Sequence, residues 1–370
     1  MRSEKKKRTC LIFFGLSMFI LINHLSLLAE NPSSVSQVVA FFKEGRTQDA
    51  IDYAKKLIKE NSNNFEAAHA LAEIYLASED FQNARKTYLD LTQKNPKDAP
   101  AHNNLGLLYL KREMPKEAIR SFRKAIEIDP NFLEAHFNLG ETALVLGQKD
   151  RALTFFQEAE TLSQKFQSSH QSAIQERLGI LYARKEKQEL AIEQFKKALK
   201  TNPDHVRTRR NLGFAYLASG KVKEAEQEFQ KVLQTEPDHA MTHYALGVSL
   251  RRLKQDQESL SEFKKAIGLD PELIEAYFYA GDLLTAAGQK TEAFEIYRKV
   301  LPLFEKFLKK NSGDSLTRFQ YAQVLTQLGE TEAAKEQLKK VAKKEKKNSP
   351  LAQASKARME DIQKKGGKKS

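Results

Sequence analysis

Apolar residues fall along this chain in short runs at helical spacing, separated by polar stretches. Leu105, Leu108 and Tyr109 make one run, and Ala118, Ile119, Phe122, Ala125 and Ile126 make the next. Steps of three and four place each run on one face of a helix, so the stretch predicts two amphipathic helices with the polar segment from Lys111 to Pro115 as their turn. The same pair then returns. A small residue, usually after Leu, recurs at Ala72, Gly106, Gly140, Gly179, Gly213, Gly247, Gly281 and Ala322, at intervals of 34, 34, 39, 34, 34, 34 and 41 residues. A second slot holds Ala50, Ala84, Ala118, Ala152, Ala191, Ala225, Ser259, Ala293 and Ala334, and four residues beyond it come Tyr88, Phe122, Phe156, Phe195, Phe229, Phe263 and Tyr297. A small residue where paired helices meet lets their backbones approach, and an aromatic ring fills the space beside it. Pro96, Pro130, Pro203, Pro237 and Pro271 follow the second helix, where a ring that cannot continue a helix marks its end. A period near 34 means stacked copies, none of which buries its apolar face alone.

The copy from Ala99 to Phe132 carries Leu105-Gly106, Tyr109, Ala118, Phe122, Ala125 and Pro130 at the spacings L-G-x2-Y, A-x3-F and P, and in this it resembles the tetratricopeptide repeat family. The resemblance covers residues 31–348 and implies an all-α fold, an α-solenoid superhelix of about nine helix-turn-helix repeats, with residues 349–370 as a capping helix and a basic disordered tail. Departures are informative. The chain has no Trp, and the slot where the family often carries one holds Ala68, His102, His136, Gln175, Arg209, His243, Tyr277 and Arg318. The first copy is degenerate, with Phe41 and Ala50 but Val38 for the small residue, as suits an end with one neighbour. Insertions near Thr161 to Gln171 and near Leu301 to Asp314 read as lengthened second helices that divide the stack into groups of four, four and one.

Composition changes the picture only at the ends. The net charge of +13 divides into +4 over residues 1–10, five basic against one acidic, and +9 over residues 335–370, thirteen against four, which leaves the repeat body neutral. Residues 1–29 combine a basic start, an apolar run from Leu11 to Ile22 and Ala29 before polar residues, the layout of a secretory signal peptide cleaved near Ala29. An uncleaved membrane anchor is the competing reading, although Asn23 and His24 interrupt the apolar stretch. Either way the repeats are expected outside the cytoplasm, in the periplasm or cell envelope, similar to exported, envelope-associated bacterial members of the family. Cys10 is the only cysteine and lies in this segment, so the exported part has no disulfide. Ser349-Pro350 reads as the N-cap and first position of the capping helix, with Leu351, Ala354, Arg358 and Ile362 at helical spacing.

A search for catalytic chemistry finds no phosphate loop, nucleophile elbow or metal-ligand cluster, and the chain is read as a non-enzyme without cofactor or metal. His239 and His243 have the i, i+4 spacing of a zinc pair, but no third ligand accompanies them. Function therefore falls to a surface. In the family the first helix of each copy lines a concave groove, and by register Asn104, Asn138 and Asn211 align with an Asn that hydrogen-bonds a ligand backbone there; a local polar role is the alternative. Other groove positions are acidic and apolar in the first half, at Glu66, Glu73, Leu107, Phe137 and Glu141. In the second half they are basic and aromatic, at Arg177, Arg184, Arg207, Arg210, Arg251 and Arg252 with Phe214, Tyr244 and Phe278. Arginine forks recognise carboxylates, so an acidic peptide or C-terminus is the expected occupant, unless Glu176, Glu224 and Glu228 neutralise the arginines internally. The leading expectation is a scaffold that binds a peptide or helix of a protein partner in envelope assembly. A targeting subunit of an envelope enzyme such as a glycosyltransferase, an anionic polymer or membrane surface held by the basic tail, and self-association are the other readings.

Overall fold

The computed structural model describes residues 35–346 and 348–366, and among these it contains helices and no strand. The proposed signal or anchor in residues 1–29 and the last residues of the tail lie outside the described residues. Paired helices follow one another: α1 (Ser36–Lys43) with α2 (Thr47–Glu60), α3 (Phe65–Ala77) with α4 (Phe81–Lys94), α5 (Ala99–Lys111) with α6 (Pro115–Ile128), and α7 (Leu133–Val145) with α8 (Lys149–Lys165). Then come α9 (Gln171–Arg184) and α10 (Gln188–Thr201), α11 (Val206–Ala218) and α12 (Val222–Thr235), α13 (Ala240–Arg252) and α14 (Asp256–Leu269), α15 (Ile274–Ala286) and α16 (Lys290–Lys310), and α17 (Ser315–Gln327) and α18 (Thr331–Lys344), closed by α19 (Pro350–Gly366). Four of the first helices, α3, α5, α13 and α17, start where a side chain accepts an orphan backbone N–H, as Asp98 does from Ala101 at 2.9 Å and Asp314 from Thr317 at 2.9 Å. The turn inside each pair is a left-handed cap, at Gly220 (φ 82°) as readily as at Lys254 (φ 63°).

The contact between paired helices follows from the small-residue slot. A methyl group built on Gly106 would stand 2.6 Å from the ring of Phe122, and one on Gly213 2.6 Å from that of Phe229. The rings of Phe122, Phe156, Phe229 and Phe263 are fully buried there, so each fills the space that the absent side chain leaves.

Two compact units divide the chain, one ending at Lys185 and the other starting at Glu186, so that the fifth pair is cut at its turn and the boundary falls at neither insertion. The insertions lengthen helices instead of breaking the stack. Second helices are 14 residues long in seven pairs, whereas α8 has 17 and α16 has 21. Pro302 sits inside α16 and leaves the Arg298 carbonyl without its helical donor, yet Val300, Phe304 and Leu308 keep one buried face running through. The cap differs from the sequence expectation by a rotation. Ser349 does accept from Ala352 N at 3.2 Å, but Ala352, Ser355 and Ile362 are the buried residues and Ala354 is exposed, because α19 packs on both α17 and α18.

The slot that lacks Trp does a different job. Arg209 donates from Nη1 to Glu228 at 2.8 Å and from Nη2 to the Pro203 carbonyl at 2.6 Å, while Arg318 reaches Gln337 at 2.7 Å and the Ser312 carbonyl at 3.0 Å. His243 repeats the figure, with Nδ1 2.5 Å from Glu262 and Nε2 donating to the Pro237 carbonyl at 2.7 Å, as does His136 with Glu158 and the Pro130 carbonyl, both at 3.0 Å. The carbonyl lies six residues upstream, in the turn that ends the preceding copy, so one side chain ties that turn to its own second helix. Losing it strands buried acceptors. His243→Ala is expected to cost about 1 to 3 kcal/mol, and His243→Arg, which restores both directions of bonding, well under half of that, in urea unfolding.

Candidate functional site

First helices of consecutive copies touch each other as well as their own partners, α1 with α3, α5 with α7 and α11 with α13. Their side chains therefore share a face in each unit, and the residues expected to meet a ligand lie on it.

In the first unit several of these side chains bond one another. Asn138 Nδ2 donates to Asn103 Oδ1 at 2.8 Å, and Asn103 Nδ2 donates to Asn104 Oδ1 at 3.3 Å, a relay of amides from α7 to α5. Asn138 is buried, so its amide serves the joint between copies and not an incoming backbone; only Asn104 keeps a half-open position. Arg177 is likewise spent. Its Nε donates to Glu141 Oε1 at 2.5 Å with both side chains about nine-tenths buried, at 12% and 10% exposure, and Glu176 stands 4.0 Å away.

In the second unit several of the arginines expected to line a basic groove have an acceptor nearby. Arg210 pairs with Glu236 at 2.9 Å, Arg251 with Asp282 at 2.5 Å, and Arg252 donates to the Leu217 carbonyl at 2.8 Å; Arg207 is engaged too. Of the glutamates expected to neutralise the groove, Glu228 serves Arg209 and Lys231 instead. Asn211 is half-buried.

The aromatic residues gather. Tyr279 stands at the centre, with Phe278 edge-on at 5.5 Å, Tyr244 at 6.1 Å, Phe263 stacked beneath at 5.6 Å and the Arg251 guanidinium 5.0 Å from its centroid. Phe214 sits edge-on to Phe229 at 5.1 Å. Burial, then the neighbouring Tyr279 and Glu275, push the Tyr244 hydroxyl well above the usual phenol range, so it stays protonated and able to donate. Tyr279 and Asp282 were not singled out from the sequence, yet register finds both: Tyr279 is two residues before Gly281, the slot of Asn104, Asn138, Arg177 and Asn211, and Asp282 is one after it, the slot of Glu141 and Phe214.

Among the described residues no three His, Cys, Asp or Glu side chains converge as metal ligands would. His239 caps α13, its Nδ1 accepting from Thr242 N at 3.2 Å, and burial with the nearby Arg210 lowers its pKa, while both nitrogens of His243 are occupied. Hollows beside Phe294 and beside Arg210 and Glu236 are open surface depressions. No helix among the described residues is long and apolar enough to cross a membrane.

No curated protein matches the chain. Among solved structures it is similar to YrrB, described as a TPR protein with an unusual peptide-binding site, at 22% identity over 52% of this chain and 97% of that one with a TM-score of 0.49. It is also similar to pilF of Pseudomonas aeruginosa, at 18% identity over 63% and 99% with a TM-score of 0.48, and to MamA from Desulfovibrio magneticus RS-1, at 22% over 47% and 96% with a TM-score of 0.43. Family profiles described as tetratricopeptide repeat match residues 41–107, 99–132, 121–154, 187–247, 242–273, 275–301 and 297–359. With most of its length matched in this way, the chain belongs to the tetratricopeptide repeat family.

Proposed function

We infer that this protein is a non-enzymatic scaffold that holds a peptide or helix of a partner protein against the first helices of its second unit, and that it works in the cell envelope. One observation carries the binding reading. The rings packed against the small-residue slot, such as Phe229 and Phe263, are fully buried, whereas Tyr244, Phe278 and Tyr279 remain partly open on the first-helix face. Half-open aromatic rings with a polar rim are the usual anchors of a protein interface, since they bury large area with few rotatable bonds. Arg210 and Asn211 lie one copy upstream on the same face and would meet the continuation of a bound segment. The envelope reading rests on the signal-like residues 1–29.

A photo-crosslinking amino acid placed at Phe278 in the native host is expected to trap a protein partner, and one placed at the exposed Phe294 on second helix α16 is not. Trapping from Phe294 alone would reverse the assignment of the face. Alkaline phosphatase fused after residue 366 should be active, which it is only outside the cytoplasm, and N-terminal sequencing then separates cleavage at Ala29 from a retained anchor. An inactive fusion would remove the envelope placement and leave the binding face standing.

A further inference from the structure

Arg207, Arg209, Arg210, Arg251, Arg252 and Arg318 are engaged, but not equally firmly. Arg209 and its carboxylate are 22% and 12% exposed and form part of the tie between copies. Arg251 and Asp282 are 36% and 40% exposed, on the rim of the aromatic shelf. An ion pair this open contributes little and changes partners readily. Arg251 also has a second hold. Its guanidinium lies 5.0 Å from the Tyr279 ring centroid, a cation–π contact that does not depend on Asp282. A single donor, Nη2, meets Asp282, whereas a guanidinium offers five and binds best through two parallel bonds. The neighbouring Arg252 donates to the Leu217 carbonyl.

We propose that Asp282 is an internal stand-in for a partner's carboxylate: a peptide that lays apolar side chains on Tyr244 and Phe278 takes over Arg251 with an adjacent acidic group, and Asp282 is released to solvent. This rests on the aromatic shelf being the peptide seat. It names the ligand as an apolar segment bearing a carboxylate, and it makes Asp282 a competitor that sets affinity. In the first unit Arg177, locked with Glu141 out of solvent, is closed to such exchange.

The test uses the whole mature chain and four fluorescent probes: the blocked peptide Phe-Glu-Phe-Leu, its Gln counterpart, the Gln peptide with a free C-terminal carboxylate, and its Lys counterpart. The Glu probe should bind more tightly than the Gln probe, and Asp282→Asn should strengthen the Glu probe by about fivefold while leaving the Gln probe unchanged. Arg251→Gln should erase the difference between them. A gain for the free C-terminal probe in place of the Glu probe assigns the carboxylate to a chain end. Equal binding of the Glu and Gln probes, a loss on Asp282→Asn, or preference for the Lys probe overturns the exchange and leaves the seat in place. No binding of any probe by protein with a native melting profile overturns the seat and the exchange with it.

Discussion

Phe263→Ala should lower the stability of the second unit by about 3 to 5 kcal/mol, the range for emptying a fully packed aromatic site. The ring is wholly buried, touches the backbone of α13 where Gly247 has no side chain, and supports Tyr279 from below at 5.6 Å. The glycine supplies the sharper half of the test. Ala is the better helix former by about 1 kcal/mol, so on propensity alone Gly247→Ala would stabilise. A methyl group there stands 2.8 to 3.1 Å from three atoms of the Phe263 ring, which has nowhere to move, and overpacking of this kind costs about 1 to 3 kcal/mol. The net sign should be a loss. Gly268, near the end of α14, meets nothing within 4 Å, so Gly268→Ala should gain up to about 1 kcal/mol. Pairing Gly247→Ala with Phe263→Leu should cost less than the two separate losses together, since the smaller side chain makes room for the methyl group. Urea unfolding with hydrogen exchange resolves these, the exchange being needed because a stack of copies need not unfold in one step. A stabilised Gly247→Ala would show that the helices are not held apart by contact at this slot.

Glu141→Ala in the first unit should cost about 3 kcal/mol, because it removes the nearer counter-charge of the Arg177 guanidinium, which is held out of solvent, and leaves only Glu176, 4.0 Å away. The carboxylate and the guanidinium come from α7 and α9, so the loss should concentrate in hydrogen exchange of those two helices. Replacing both residues, Glu141→Leu with Arg177→Met, should recover only part of the loss, since apolar side chains of similar volume remove this pair but take from the buried Glu176 the guanidinium 4.0 Å away. If Glu141→Ala unfolded at the native urea midpoint, the pair would be contributing no more than a surface contact.

The helical pairs are legible in the sequence because the residues that fix them stand in register with one another. Gly106 and Phe122 are sixteen residues apart, Gly213 and Phe229 likewise, so each aromatic ring announces the gap it fills. The lengthened α8 and α16 are legible as breaks in the period. The electrostatics of the face is less so. Glu141 and Arg177 are 36 residues apart and both lie at groove positions, and whether they face a ligand or each other depends on rotamers that no spacing records. Asn103 and Asn104 are neighbours in sequence, and only the relay from Asn138 shows that the buried one, not the aligned one, joins the helices. The ties made by Arg209, His243 and Arg318 end on backbone carbonyls, which every residue possesses and none advertises. Tyr279 is a different case, since the slot rule reaches it once applied to every copy.

The bridges between copies in the first unit, Asn103 to Asn138 and Glu141 to Arg177, reach 35 and 36 residues along the chain, and the ties to a preceding carbonyl reach only six. Nothing in such wiring has to wait for a distant stretch of polypeptide. Each newly made pair of helices can close on the one completed just before it, so the protein can take shape from its beginning while the ribosome is still adding its end, with only the most recent copy exposed at any moment.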